Sequence, residues 1–174
     1  MSDPRFYEDS EPDSRIRTAP AVARNREAIA AVLAQWLPVS GTVLEIASGT
    51  GEHVVDYAGR FPALGWQPSD LHPDALGSIA ARVEQARLAN VRPPVVLDAA
   101  MPDWPVDQAE AVLCINMVHI SPWNSAIGLL DGTARVLWPD APLILYGPWL
   151  VEEVETAPSN LAFDADLKAR DPRW

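Results

Sequence analysis

"VLEIASGTGEH", residues 43–53, decides how the rest of the chain is read. An apolar run enters a turn carrying Gly49 and Gly51, and residues at helical spacing follow it: Val54, Val55 and Ala58. Strand, glycine turn and helix in that order make a cradle for a nucleotide-like ligand. A phosphate-binding loop needs G-x-x-x-x-G-K-[ST]; here the glycines stand too close together and no lysine follows. A dinucleotide turn needs G-x-G-x-x-G, whose three places fall on Ala47, Gly49 and Glu52. Glu52 at the third place would crowd helix against strand and set a negative charge beside a pyrophosphate. A nicotinamide-dependent oxidoreductase therefore stands well behind the readings developed below.

Outward from the turn, short apolar runs alternate with helical patterns. "TVLEIA", "LGWQPSD", "PVVLDA", "AEAVLCINMV" and "APLILYGP" read as five strands. "NREAIAAVLAQWL" places apolar residues at 29, 32, 33, 36 and 37, a helix ended by Pro38 and Gly41. "GEHVVDYAGRF", "HPDALGSIAARVEQARL" with Pro73 at an early position, and "WNSAIGLLDGTARVLWP" with a weak spot at Gly128 are further helices. A last helix begins at Ser159 or Asn160 and ends before Pro172. This alternation predicts an α/β fold whose parallel sheet is buried on both faces. The leading stretch carries Asp3, Glu8, Asp9, Glu11 and Asp13 and little aliphatic content, which predicts a flexible acidic arm over residues 1–17. A single domain is expected over residues 18–174.

The chain has 174 residues, enough for one sizeable core and hardly enough for two. Hydrophobic residues are 48% and charged residues 21%, the composition of an ordinary globular protein, with no apolar stretch long enough for a bilayer and no secretory signal. Cys114 is the only cysteine, so no internal disulfide forms and a cytoplasmic location is expected. The net charge of −11 repels nucleic acid unless cations gather on one face, and no basic cluster with interleaved aromatics is present. A small-molecule or peptide partner fits better. His53, His72 and His119 are scattered without metal-ligand spacing, so no metal is expected.

Ligands of open parallel sheets lie beyond the carboxyl ends of the strands. The strand ends here carry Glu45, Asp70, Asp98, Asn116 with His119, and Tyr146. Each alone has an ordinary structural reading, Asp as a turn former and Asn116 or His119 as a satisfied core residue. Together they converge on a site.

"E-I-A-S-G-T-G" resembles the first motif of class I S-adenosylmethionine-dependent methyltransferases, an acid before a G-x-G-x-G turn, with Ala47 as a mild departure from the first glycine. "TAPAVARNREAI", "WQPSDLHPDAL", "LDAAMPDWP", "NMVHISPW", "LYGPW" and "TAPSNLAFDADLKARDPRW" extend the resemblance to the DUF938 family, also called methyltransferase-like 26 proteins, from about Thr18 onward. The resemblance implies a Rossmann-like class I methyltransferase fold and S-adenosyl-L-methionine as cofactor. It implies Asp70 on the ribose hydroxyls, Asp98 and the Ala99 backbone at the adenine, and Glu45 near the ammonium of the amino-acid tail. Gly49 and Gly51 would let the backbone approach the ligand closely. Ala47, Ser48, Leu71, Asn116 and Met117 complete the cofactor set, and Arg24 at the start of the first helix would pair with the carboxylate, its alternative being a solvated arginine.

For the acceptor, Asn116 takes the first place of the N-P-P-Y type motif of amino-methylating enzymes, but Met117, Val118 and His119 fill the others, which argues against base N-methylation. The N-x-x-H pattern of many small-molecule methyltransferases matches better. His119 is then a candidate general base on an acceptor hydroxyl, or a histidine that shapes the pocket. Trp123 is a candidate pocket wall, though core packing is the default for every tryptophan, and Tyr146 is a pocket hydroxyl or a packing residue. Cys114, inside a buried strand, is expected to be inert. The expected function is direct methyl transfer to a small-molecule or peptide-borne nucleophile. The alternative is a cofactor-binding regulatory or scaffold protein without turnover. The superfamily sheet usually ends in an antiparallel hairpin, whereas the residues after Pro148 read mostly as helix. The resemblance then implies five parallel strands in order 3-2-1-4-5, the chain either lacking the final antiparallel ones or being a C-terminally incomplete fragment, with an open apolar edge at "PLILYG" that either another copy, in a homo-oligomer, covers or the missing strands would.

Overall fold

The computed structural model describes residues 15–174 and, upstream of them, the two-residue strand β1, Glu8–Asp9. β1 pairs antiparallel with β2, Arg17–Thr18. Of the expected acidic arm, residues 1–7 and 10–14 lie outside the described residues, while Glu8–Asp9 and Arg17 join this ribbon.

Five parallel strands make the central sheet: β3 (Gly41–Ile46), β4 (Leu64–Asp70), β5 (Val95–Val96), β6 (Ala111–Ile115) and β7 (Leu143–Tyr146). Their order is β5-β4-β3-β6-β7, which is 3-2-1-4-5 when these five are counted along the chain. Glu45 sits opposite Pro68 of β4 and Leu113 of β6, so the carboxylate-bearing end of β3 lies mid-sheet. Among the described residues β7 is an edge.

Side-chain alternation divides each strand between two cores. Val43 and Leu113 pack with Ile29 and Leu33 of α1 (Pro20–Trp36) and with Val54 and Tyr57 of α2 (Glu52–Arg60). Leu44, Ile46, Val112 and Cys114 pack on the opposite face with Leu129 and Val136 of α4 (Trp123–Val136). Helix α3 (Pro73–Ala86) touches α2, β4 and β5. Burial of these apolar faces at about 25 cal/mol per Å² is the main favourable term holding the layers together.

Helix α1 starts at Pro20, five residues before Asn25, because a proline at the first helical position is already shaped for a helix. Gly128 is not a weak spot. A Cβ there would stand 2.2 Å from the Ala99 carbonyl oxygen, and one at Gly132 would stand 2.2 Å from the Trp104 ring. The two glycines, one helical turn apart, form a groove on α4 into which residues 99–104 dock.

The default assignment of tryptophans to the core also fails. Trp66 is fully buried, but Trp36, Trp123, Trp138 and Trp149 are exposed. Helix α5 (Pro158–Arg170) buries only Leu167 and lies against the turn that carries His119.

Candidate functional site

Strand β3 ends in a turn with unusual backbone. Ala47 (φ 56°), Gly49 (φ 57°) and Gly51 (φ 80°) all occupy the left-handed region. For Ala47 this conformation costs about 1–2 kcal/mol, so its departure from glycine is more than mild. The two glycines serve different ends. A Cβ on Gly49 would meet nothing within 4 Å, so that backbone faces open space into which a ligand can come. A Cβ on Gly51 would sit 3.0 Å from the Ile79 Cα, so that glycine admits α3.

Asp70, at the end of β4, accepts the Gly49 N–H at 2.9 Å on one carboxylate oxygen and the His72 N–H at 3.0 Å on the other. Each oxygen keeps a lone pair for a further donor. The Ser48 amide donates to the Ser69 carbonyl at 2.8 Å, and the Ser69 hydroxyl donates to the Glu45 carbonyl at 2.8 Å, so the ends of β3 and β4 are laced together.

A second layer of contacts holds the turn from outside. The Thr50 carbonyl accepts the Ser78 hydroxyl at 3.0 Å and the Arg82 Nε–H at 3.2 Å, and Arg82 also donates to the Arg17 carbonyl at 2.6 Å. Glu52 accepts from the Thr50 hydroxyl at 2.9 Å and from the Ala19 amide at 2.8 Å. Glu52 therefore pins the lead-in of α1 onto the turn. His53 and Asn25 share a buried 2.9 Å hydrogen bond between α2 and α1. Sequence reasoning missed these supports, whose partners, Thr50 and Glu52 excepted, lie 28 to 65 residues apart along the chain.

Glu45 is the decisive group. It is 1% exposed, and its Oε2 has no hydrogen-bond partner. Burial pushes its carboxyl up to about 8, the Ser48 hydroxyl opposing this and the Asp70 charge adding to it. A buried carboxyl left unmatched is costly, and a cation beside it would remove that cost by letting it ionise.

The remaining candidates divide. Asp98 turns the chain after β5 by accepting the Ala100 N–H at 2.9 Å, with Ala99 buried beside it against Gly128. Leu71 is 46% exposed, next to Asp70. Asn116 has φ 60° at the end of β6 and donates its N–H to the Tyr146 carbonyl at 2.8 Å; Met117 is half-buried beyond it. Backbone strain of this kind clusters at ligand sites. Arg24 is exposed and makes no ion pair among the described residues. Tyr146 is partly exposed at the strand end. Trp123 is 70% exposed and does not line the cleft at His119.

His119 lies in a short 3-10 turn, residues 118–120, edge-on to Phe163 of α5 at 6.0 Å between centroids. Burial pushes its imidazole down to about 4, so it is neutral at physiological pH and a weak base. Burial holds the Cys114 thiol up at about 12, which makes it unreactive. Among the described residues no group of three or more His, Cys, Asp or Glu side chains is placed to hold a metal, and no helix is long and apolar enough to cross a membrane.

The arrangement offers a buried carboxyl with an unpartnered oxygen, an Asp70 carboxylate that keeps acceptor capacity, and an open backbone at Gly49. Comparison with known proteins agrees with the fold. The structure aligns with an O-methyltransferase family protein from Burkholderia thailandensis at a TM-score of 0.68 and 19% identity, over 82% of this chain and 44% of that one. It aligns equally with the S-adenosylmethionine-dependent methyltransferase SibL, TM-score 0.68 and 19% identity, over 83% of this chain and 41% of that one. The architecture is thus the Rossmann-like one of these methyltransferases. A tRNA (guanine-N(7)-)-methyltransferase of Rhodopseudomonas palustris (strain HaA2) is 31% identical over 86 residues, which are 49% of this chain and 33% of the relative. The chain spans a third of that curated relative and less than half of either solved chain. The family described as "Protein of unknown function (DUF938)" matches residues 16–174, and the chain belongs to that DUF938 family.

Proposed function

We propose that this protein is an S-adenosylmethionine-dependent methyltransferase acting on a small-molecule or peptide-borne nucleophile. The observation that carries this reading is the buried Glu45 carboxyl with its unpartnered oxygen at the foot of the glycine turn. S-adenosylmethionine, when bound, supplies an electrophilic methyl on a sulfonium. Glu45 would take the ammonium of its amino-acid tail, Asp70 the ribose hydroxyls, and Asp98 with the Ala99 backbone the adenine. Arg24 would swing onto the carboxylate, and Leu71, Ser48, Asn116 and Met117 would line the remainder. The acceptor's lone pair would form the new bond to that methyl carbon as the carbon–sulfur pair returned to sulfur. The protein's contribution is alignment of the two partners.

A polyanionic acceptor such as tRNA suits a chain of net charge −11 poorly. The weak basicity of half-buried His119 favours a nucleophile that needs no strong base, and gives it a pocket-shaping role. The same weakness keeps open a binding protein without turnover. Incubation of the protein with methyl-labelled donor and a cell extract separates the two: label in a small-molecule or peptide fraction, lost on Asp70→Ala, is the expected result. Donor binding with no labelled product in any fraction would leave only the scaffold reading.

A further inference from the structure

We propose that the cleft between the His119 turn and α5 seats the acceptor's reacting group, and that Asn160 and Asp164 select a small aliphatic amine head there. What then happens to the amine rests on the methyltransferase reading above; its binding does not.

The cleft has a volume of about 30 Å³ and an apolar wall of Pro148, Leu150, Phe163 and Leu167. A water molecule needs on the order of 10–15 Å³ in this measure, so there is room for one small group and none for a purine ring. The polar lining is His119, Asn160 and Asp164. Asn160 and Asp164 are four residues apart on α5 and share a face. Gly147 makes the geometry feasible, because a Cβ there would stand 3.2 Å from the His119 Nδ1.

The chemistry of these three groups is acceptor-rich. Neutral imidazole offers one nitrogen lone pair and one N–H, the carboxamide one oxygen and two N–H, and the carboxylate two oxygens and no proton. The Lys168 ammonium already lies 2.7 Å from Asp164 Oδ2, in an exposed pair along the helix. This carboxylate therefore accepts an alkylammonium at its outer edge, and its other oxygen is left for the cleft. A hydroxyl can pair with the donors as well as the acceptors of this lining, but only an alkylammonium carries the positive charge that the Asp164 carboxylate complements. The apolar wall suits the alkyl chain behind it, and the net charge of −11 draws cations to the surface. After binding, the alkylammonium loses a proton to water. The free amine pair then bonds to the methyl carbon as the carbon–sulfur pair goes to sulfur, giving a methylammonium product.

The test is an NMR titration of the whole protein, following the Asn160 side-chain amide, with propylamine, propanol and guanosine monophosphate, each with and without S-adenosylhomocysteine. Propylamine should shift the Asn160 signal, propanol should bind at least ~10-fold more weakly, and the nucleotide should leave the signal unchanged. Asp164→Asn should weaken propylamine at least ~10-fold without changing S-adenosylhomocysteine affinity, and Asn160→Asp should tighten it. Equal binding of propanol, a response to the nucleotide, or a propylamine response that survives Asp164→Asn would overturn the amine site. If propylamine behaves as expected but S-adenosylhomocysteine does not bind, the amine site stands and the methyltransferase reading falls.

Discussion

The Gly49 amide donates to Asp70 Oδ2 at 2.9 Å, so the ligand-facing turn after β3 takes its shape from the end of β4. The other Asp70 oxygen fixes the His72 amide at the start of α3. Asp70→Ala should therefore remove two charge-assisted bonds, lower stability by about 2 kcal/mol, and abolish donor binding. Asp70→Asn keeps an acceptor for one amide and should lose less stability while still losing most affinity. Urea denaturation beside calorimetry checks both, and an Asp70→Ala protein that binds donor normally would contradict the role.

The strained turn makes a prediction of opposite sign. Ala47→Gly relieves a left-handed alanine and should raise stability by about 1 kcal/mol, seen as a Tm increase of about 2–4 °C. Gly51→Ala adds a Cβ at positive φ against Ile79 and should lower stability by more than Gly49→Ala, whose Cβ meets open space. Equal losses at the two glycines would contradict the assignment of Gly51 to helix packing.

Buried His53 and Glu45 and half-buried His119 set the pH dependence of the free protein. His53 and His119 are held down to about 4, so the unfolded chain binds more protons than the folded one up to the ordinary histidine value of 6.5, and stability rises with pH across that window. Glu45 is pushed up to about 8, so the folded chain keeps a proton the unfolded chain loses near 4.5, and stability falls with pH from there to about 8. Two histidines outweigh one glutamate below pH 6.5, and above it Glu45 acts alone. These groups place the maximum near pH 6.5. Denaturation midpoints across pH 5–8.5 should show it, and Glu45→Gln should remove the alkaline decline; a decline that persists in that variant would contradict the account.

Gly128 carries a structural prediction with a functional consequence. Gly128→Ala drives a methyl into the Ala99 carbonyl and should lower stability by about 1–3 kcal/mol. The displaced loop carries Asp98, so adenosine affinity should fall further than in a variant destabilised equally elsewhere, such as Leu33→Ala in the α1 core. Calorimetry at a temperature where both remain folded makes the comparison.

Short apolar runs and glycine turns are local signals, and they revealed the five strands and the strand-end acids, while the strand order followed from the resemblance to the methyltransferase superfamily. Strand β5 came out shorter than "PVVLDA" suggested because the chain pairs with β4 only at Ser69 and Asp70 before turning at Asp98. The supports of the turn were not legible, because Arg17, Ser78, Arg82 and Glu52 meet only once α1, α2 and α3 are packed. Gly128 looked like a helix weakness since its partner, the Ala99 carbonyl, lies far away in sequence. Trp123 looked like a pocket wall by its place in "HISPW", but it begins α4 on the outward side.

The central claim is that the unmatched Glu45 carboxyl awaits the ammonium of S-adenosylmethionine. Calorimetric titration of the protein with S-adenosylhomocysteine at pH 7, in buffers of different ionisation enthalpy, tests it most directly. The account predicts binding with release of about one proton, because a carboxyl held near 8 must ionise beside the ligand's ammonium, and it predicts weaker binding without that release in Glu45→Gln. No binding to the wild-type protein, or the same proton release from Glu45→Gln, would contradict it.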